Sequence, residues 1–127
     1  MLLTPYRVLD LTGPLGFLTG KILGDLGAEV IKIEAPGGDA ARRLPPFLSN
    51  GNGSSQSLFW LAYNANKRGI TLDLKQQTGR ELFRRLARQA DFIVETRQAQ
   101  NVKQTVSLLP RRHFDSRIGI AAGQRHS

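Results

Sequence analysis

YRVLDLTGPLGFLTGKILGDLGAEVIKIE, residues 6–34, decides the fold. Residues 6–11, YRVLDL, alternate apolar and polar side chains and read as a strand. Thr12-Gly13-Pro14 reads as a turn that opens a helix, because a proline in the first helical turn gives up no needed N–H. Leu15, Leu18, Ile22 and Leu26 then recur at spacings of three and four, which predicts the apolar face of that helix. Gly27 is placed to end it as a left-handed cap. Residues 29–34, EVIKIE, read as a second strand. Strand, helix and strand within about 30 residues make a βαβ unit, which implies a parallel pair with a right-handed crossover.

Downstream, residues 35–57 carry Pro36, Gly37, Gly38, Pro45, Pro46 and a GNGSS run, and read as a long polar loop, a kind of segment that is usually functional or mobile. LFWLAY (58–63) is an apolar run. ITLDL (70–74) alternates, with Ile70, Leu72 and Leu74 on one face. Thr78 and Glu81 have capping-box spacing, and the helix they open gathers Leu82, Phe83, Leu86, Ala87 and Ala90. Residues 91–95, DFIVE, read as the next strand. After Thr96 the pattern gives way to Arg, Gln, Ser and His, with VSLL and RIGIA as short strand candidates and no internal repeat anywhere.

The 127 residues, 40% hydrophobic and 22% charged, suit one globular domain. No apolar run approaches the ~18 residues of a membrane span, and the N-terminus lacks the basic and apolar regions of a secretory signal. With no Cys, disulfides, thiolate catalysis and Cys-containing zinc sites are excluded, and the cytoplasm is the expected compartment. The net charge of +8 is uneven. Residues 1–96 hold 12 basic and 9 acidic groups, whereas residues 97–127 hold 6 and 1. The basic excess therefore belongs mainly to a tail.

Four motifs invite a functional reading. Gly13, Gly16 and Gly20 lie between a strand and a helix, as in nucleotide-binding turns, but their spacing is not the G-x-G-x-x-G of dinucleotide sites. They read either as a ligand turn, with Glu34 as an acidic ribose partner, or as close helix–strand packing. Arg42-Arg43 offers two guanidinium groups of the kind that bind phosphate, or a solvated basic loop. Asn64-Ala-Asn66-Lys67-Arg68 reads either as an anion site or as a turn whose Asn side chains bond the backbone. His113 and His126 are isolated, which argues against a metal site, and Asp115 reads as a solvated tail residue.

RVLDLTGPLG, KILGDLGAEVIKIEAPGGDAARRLPPF, SLFWLAYNANKRGITLDL and GRELFRRLARQADFIVET together resemble the N-terminal part of a family III CoA-transferase, the CaiB/BaiF group of CoA-transferases and α-methylacyl-CoA racemases. The resemblance runs from about Arg7 to Thr96, and the order LGAEVIKIE then NKRGITLDL is its most specific part. It implies an α/β fold of Rossmann-like parallel βαβ units, here an incomplete family III large domain. It implies acyl-CoA as substrate and coenzyme A as the bound group, with no metal and no membrane. The resemblance implies interlocked homodimers for the family, an arrangement that need not extend to this chain. Their transferases use an Asp carboxylate that attacks the thioester, and the racemases use acid–base groups instead.

Site residues carry over only where positions match. The resemblance implies Pro14 and Leu15 near the pantetheine and thioester, and Leu72, Asp73 and Lys75 beside the adenine. Ala35 stands where a basic residue often meets the CoA phosphates, so Arg42 and Arg43 are expected to substitute. Thr96 stands where an Asn-Phe pair usually begins. Residues 1–96 are thus expected to form the N-terminal part of the large domain, and residues 97–127 a divergent basic tail, disordered or frameshifted. The catalytic Asp segment has no counterpart here, so no catalytic residue is assigned. The expected function is that of an N-terminal piece of an enzyme transferring CoA between acyl-CoA and a carboxylic acid, inactive alone. A split transferase or racemase, completed by a second chain, is the alternative. Such a piece is expected to be marginally stable, aggregation-prone or dependent on a partner chain. A nucleic-acid-binding module fits less well, because no aromatic platform or recognition-helix pattern accompanies the basic tail.

Overall fold

The structure, a computed structural model, describes residues 1–96. In chain order the elements are β1 (Arg7–Asp10), a 3-10 turn (Pro14–Gly16), α1 (Phe17–Asp25), β2 (Glu29–Glu34), a second 3-10 turn (Ala40–Arg43), β3 (Phe47–Ser49), β4 (Ser55–Ser57), α2 (Leu58–Asn64), β5 (Arg68–Thr71), α3 (Gln77–Gln89) and β6 (Phe92–Val94). β5, β2, β1 and β6 form, in that order, one wholly parallel sheet. The chain runs outward from β1 to β2 to β5, then returns to lay β6 on the other side of β1. That reversal is the switch point at which doubly wound sheets open a crevice beyond their carboxyl ends.

Alternation along the strands assigns the two faces. Leu9, Leu11, Ile31, Ile33 and Ile93 pack with Phe83, Ala87 and Ala90 of α3, joined by Ile70, Leu72, Leu74 and Leu86. Val8 and Val30 point the other way and pack with Ala28, Leu3 and Leu23. A third cluster, Phe17, Ala41 and Trp60, ties α1 to α2 and the second 3-10 turn, with Phe17 and Trp60 edge-to-face at 5.5 Å. The parallel βαβ reading is therefore correct, and helices lie on both faces.

Gly27 ends α1 as expected, with φ of 103°. Its N–H bonds Gly24 O while the Ala28 N–H bonds Leu23 O, the paired bonds of a Schellman cap. Four expectations change. The predicted apolar face of α1 faces outward: Leu15 is 86% exposed, Leu18 54% and Ile22 48%, with Leu26 also exposed. The buried side carries Phe17 and Gly20 instead, because only a glycine there lets the helix approach the sheet. The 35–57 segment is partly ordered into a capped 3-10 turn and an antiparallel hairpin, Phe47–Ser49 against Ser55–Ser57. Residues 72–74 lie past the end of β5, where the Asp73 carboxylate accepts the Lys75 N–H and turns the chain out of the ladder. The capping box does not form: Gln76 is the N-cap, and Glu81 accepts from the Gln77 side chain at 3.2 Å. The Asp73–Gln76 turn already sets the helix start, so Thr78 lies inside the first turn.

A candidate ligand site at the sheet's carboxyl edge

At the carboxyl ends of β1 and β2 lies an open cavity of about 500 Å³. Leu11 through Leu15 form one wall, Ile33 to Ala35 and Gly38 to Ala40 another, and Thr96 closes the end. The turn meets the segment just past β6 through the Gly13 N–H, which donates to Thr96 Oγ1 at 2.9 Å. A Cβ at Gly16 would come within 2.2 Å of Thr96 Cγ2, and one at Gly20 within 2.3 Å of Asp10 Oδ2. Gly16 and Gly20 therefore serve close packing, whereas Gly13 forms part of the cavity wall.

Beneath this turn sits a buried charge cluster. Asp10 and Lys32 are opposite one another in the β1–β2 ladder, on the face toward α1. Lys32 Nζ lies 3.3 Å from Asp10 Oδ1 and also donates to Thr12 O. Asp10 Oδ1 accepts from Thr12 N at 2.9 Å and from Thr12 Oγ1 at 2.6 Å. Lys67 Nζ lies 2.8 Å from Asp10 Oδ2, an ion pair without hydrogen-bond alignment, and donates to Phe17 O and Asn64 Oδ1, each at 2.9 Å. Burial alone would raise the Asp10 pKa, but the two ammonium groups and the Thr12 hydroxyl outweigh it and hold the carboxyl below its ordinary range. Burial lowers the Lys32 pKa, and Asp10 offsets only part of that.

The second wall is held by another pair. Arg42 clasps Glu34 with two bonds, Nε to Oε2 at 2.8 Å and Nη2 to Oε1 at 2.6 Å, while its guanidinium lies 4.1 Å from the centre of the Trp60 ring. Glu34 Oε2 also accepts the Asp39 N–H at 2.7 Å, and Asp39 Oδ1 accepts the Ala41 N–H. The Arg42 hydrogen bonds hold Glu34 below its ordinary pKa, and Glu34 raises that of Arg42.

Of the residues singled out from the sequence, Pro14, Leu15 and Thr96 line the cavity. Arg42 is committed to Glu34, which uses both carboxylate oxygens and leaves neither bare for a ribose. Arg43 is exposed beside it. Leu72, Asp73 and Lys75 stand at the end of the neighbouring β5, where Leu72 N donates to Glu34 O at 2.9 Å, but they do not line the cavity. The Asn64–Arg68 motif is a structural turn. The Lys67 ammonium donates to Phe17 O and Asn64 Oδ1 and is ion-paired with Asp10, while the Asn66 side-chain amide donates to Lys21 O and Asp25 Oδ1. His113, Asp115, His126, VSLL and RIGIA lie outside the described residues. Among the described residues no group of three or more His, Cys, Asp or Glu is placed to hold a metal, and no helix is long and apolar enough to cross a membrane.

The Asp10–Lys32 pair escapes the motif reading, although its signal is present. Parallel strands are usually apolar on both faces, so a charged residue inside RVLD and another inside EVIKIE each call for a buried partner.

Comparisons with known proteins agree with this fold. The family model for CoA-transferase family III matches residues 3–107, past the boundary that the sequence suggests at Thr96. The chain is 48% identical over 91 residues to the Succinyl-CoA:(R)-benzylsuccinate CoA-transferase subunit BbsE of Thauera aromatica, covering 72% of this chain and 22% of that protein. It is 42% identical over 92 residues to the Succinyl-CoA:glutarate CoA-transferase of Mus musculus, covering 70% and 20%. The crystal structure of a CAIB/BAIF family protein from Brucella suis superposes with a TM-score of 0.71 at 34% identity, over 84% of this chain and 30% of that one. The chain thus spans less than a third of the length of these relatives. With the parallel sheet, the matched residues and the superposition in accord, the chain belongs to CoA-transferase family III.

Proposed function

We propose that residues 1–96 form the N-terminal, CoA-binding part of an enzyme that moves coenzyme A between an acyl-CoA and a carboxylic acid. The observation that carries this reading is the cavity at the switch point, walled by Pro14, Leu15 and Thr96. The exposed, apolar Leu15 and Pro14 suit the pantetheine arm. Arg43, next to the clasped Arg42, offers a guanidinium to the CoA phosphates. Leu72, Asp73 and Lys75, one strand over, offer an edge to the adenine. The two wall carboxylates, Glu34 and Asp39, already hold Arg42 and the Ala41 amide. Neither is disposed as a nucleophile toward a thioester, so this part binds and orients CoA, and the attacking carboxylate comes from polypeptide beyond these residues.

Titration calorimetry of the 127-residue chain with CoA tests the reading. Saturable binding is expected, weakened about ten-fold by Leu15→Asp and by Arg43→Glu through lost burial and reversed charge. The chain alone is expected to catalyse no exchange with succinyl-CoA. A chain that takes up no CoA, or binds it equally after both substitutions, overturns the reading.

A further inference from the structure

Thr96 Oγ1 accepts the Gly13 N–H, so the hydroxyl proton must turn elsewhere. No acceptor takes that proton among the described residues, and the side chain stands in the cavity wall. The peptide group that supplies the Gly13 N–H is gripped at its other end. Its carbonyl is Thr12 O, which accepts the buried Lys32 ammonium. Thr12 N and Oγ1 are in turn bonded to Asp10, opposite Lys32 in the ladder. An ammonium on a peptide oxygen withdraws electron density and makes the N–H of the same peptide a stronger donor. The chain of bonds therefore runs from Lys32 through the Thr12–Gly13 peptide to Thr96 and out to the cavity.

We propose that Lys32, held by Asp10, is a positioning residue of the cavity, orienting the Thr96 hydroxyl as a donor to a carbonyl oxygen of the bound CoA arm. This role makes sense of a costly arrangement. An ammonium with a side chain only 2% exposed is retained in the sheet because it presets the polar anchor of the cavity wall. The inference rests on the cavity being a CoA site, and the two ideas fail separately in the following test.

The 15N-labelled 127-residue chain is compared with Lys32→Met, Thr96→Val and Thr96→Ser. Without ligand, the Gly13 amide proton is expected downfield in the wild type and in Thr96→Ser, and upfield in Thr96→Val and in Lys32→Met. With CoA as probe, Thr96→Val and Lys32→Met are expected to bind about ten-fold more weakly, the worth of one hydrogen bond, and Thr96→Ser as wild type. A merely structural lysine would change the melting temperature without moving the Gly13 resonance. If Lys32→Met does not fold, the Thr96 pair carries the test, since valine keeps the shape and removes only the hydroxyl. A Gly13 resonance unmoved in folded Lys32→Met, or CoA affinity unchanged in Thr96→Val, overturns the proposal. A wild-type chain that binds no CoA overturns the cavity reading, and the Gly13 resonance then still decides the relay.

Discussion

Lys67, in the turn after α2, reaches within 2.8 Å of the Asp10 carboxylate at the end of β1, and both side chains are fully buried. The contact fastens α2 to the sheet beneath α1, for the same ammonium also bonds the Phe17 carbonyl. Since Lys32 approaches the other Asp10 oxygen, two buried ammonium groups share one carboxylate.

That ratio makes the cluster asymmetric. Asp10→Asn would leave both ammonium groups uncompensated, whereas Lys32→Met leaves an intact one-to-one pair. Urea unfolding should show Asp10→Asn destabilised by about 3–5 kcal/mol, the cost of breaking a buried pair, and Lys32→Met by clearly less. Equal losses would refute this account of the cluster.

Gly20→Ala should destabilise despite alanine's higher helix propensity. The added Cβ would meet Asp10 Oδ2 at 2.3 Å and Lys67 Nζ at 3.0 Å. Overpacking of this kind costs about 1–3 kcal/mol and exceeds the ~1 kcal/mol that alanine gains over glycine. Thermal melts of the variant would show the sign directly, and a raised melting temperature would contradict the packing.

Glu34 gives the fold an acid-sensitive clasp. Its folded pKa is depressed by Arg42, so its contribution is present above the ordinary value of 4.5 and is lost as pH falls through the depressed folded value. Stability measured from neutral pH down through the carboxylate range should fall less steeply in Glu34→Gln than in wild type. Parallel curves would mean that the clasp adds nothing.

The outward stripe of α1 should promote self-association. Replacing Leu18 and Ile22 by Gln removes exposed apolar surface and should alter unfolding free energy by no more than about 0.5 kcal/mol per site. Sedimentation should then show less concentration-dependent association than in wild type. An unchanged profile would exclude this face as the source.

Local chemistry makes much of the fold legible in one dimension. The alternation in YRVLDL and EVIKIE, the glycine after α1 and the period of Leu82–Ala90 each act within a few residues, so the βαβ order follows from sequence alone. Pro14, Leu15 and Thr96 are singled out in the sequence only by the family resemblance, and the fold sets all three in the wall of one cavity.

What depends on distant partners is decided only by the tertiary structure. Spacing identifies the apolar stripe of α1 but not its direction, because the helix is seated by Gly20 against Asp10 and Lys67 rather than by Leu18 and Ile22. Arg42 looks like a free phosphate ligand until Glu34 and Trp60 close on it. Lys32 looks like an ordinary strand lysine until the ladder register sets it opposite Asp10. Short-range periodicity specifies which elements form. The sign of a buried charge, and the face a helix presents, depend on atoms brought together from far along the chain.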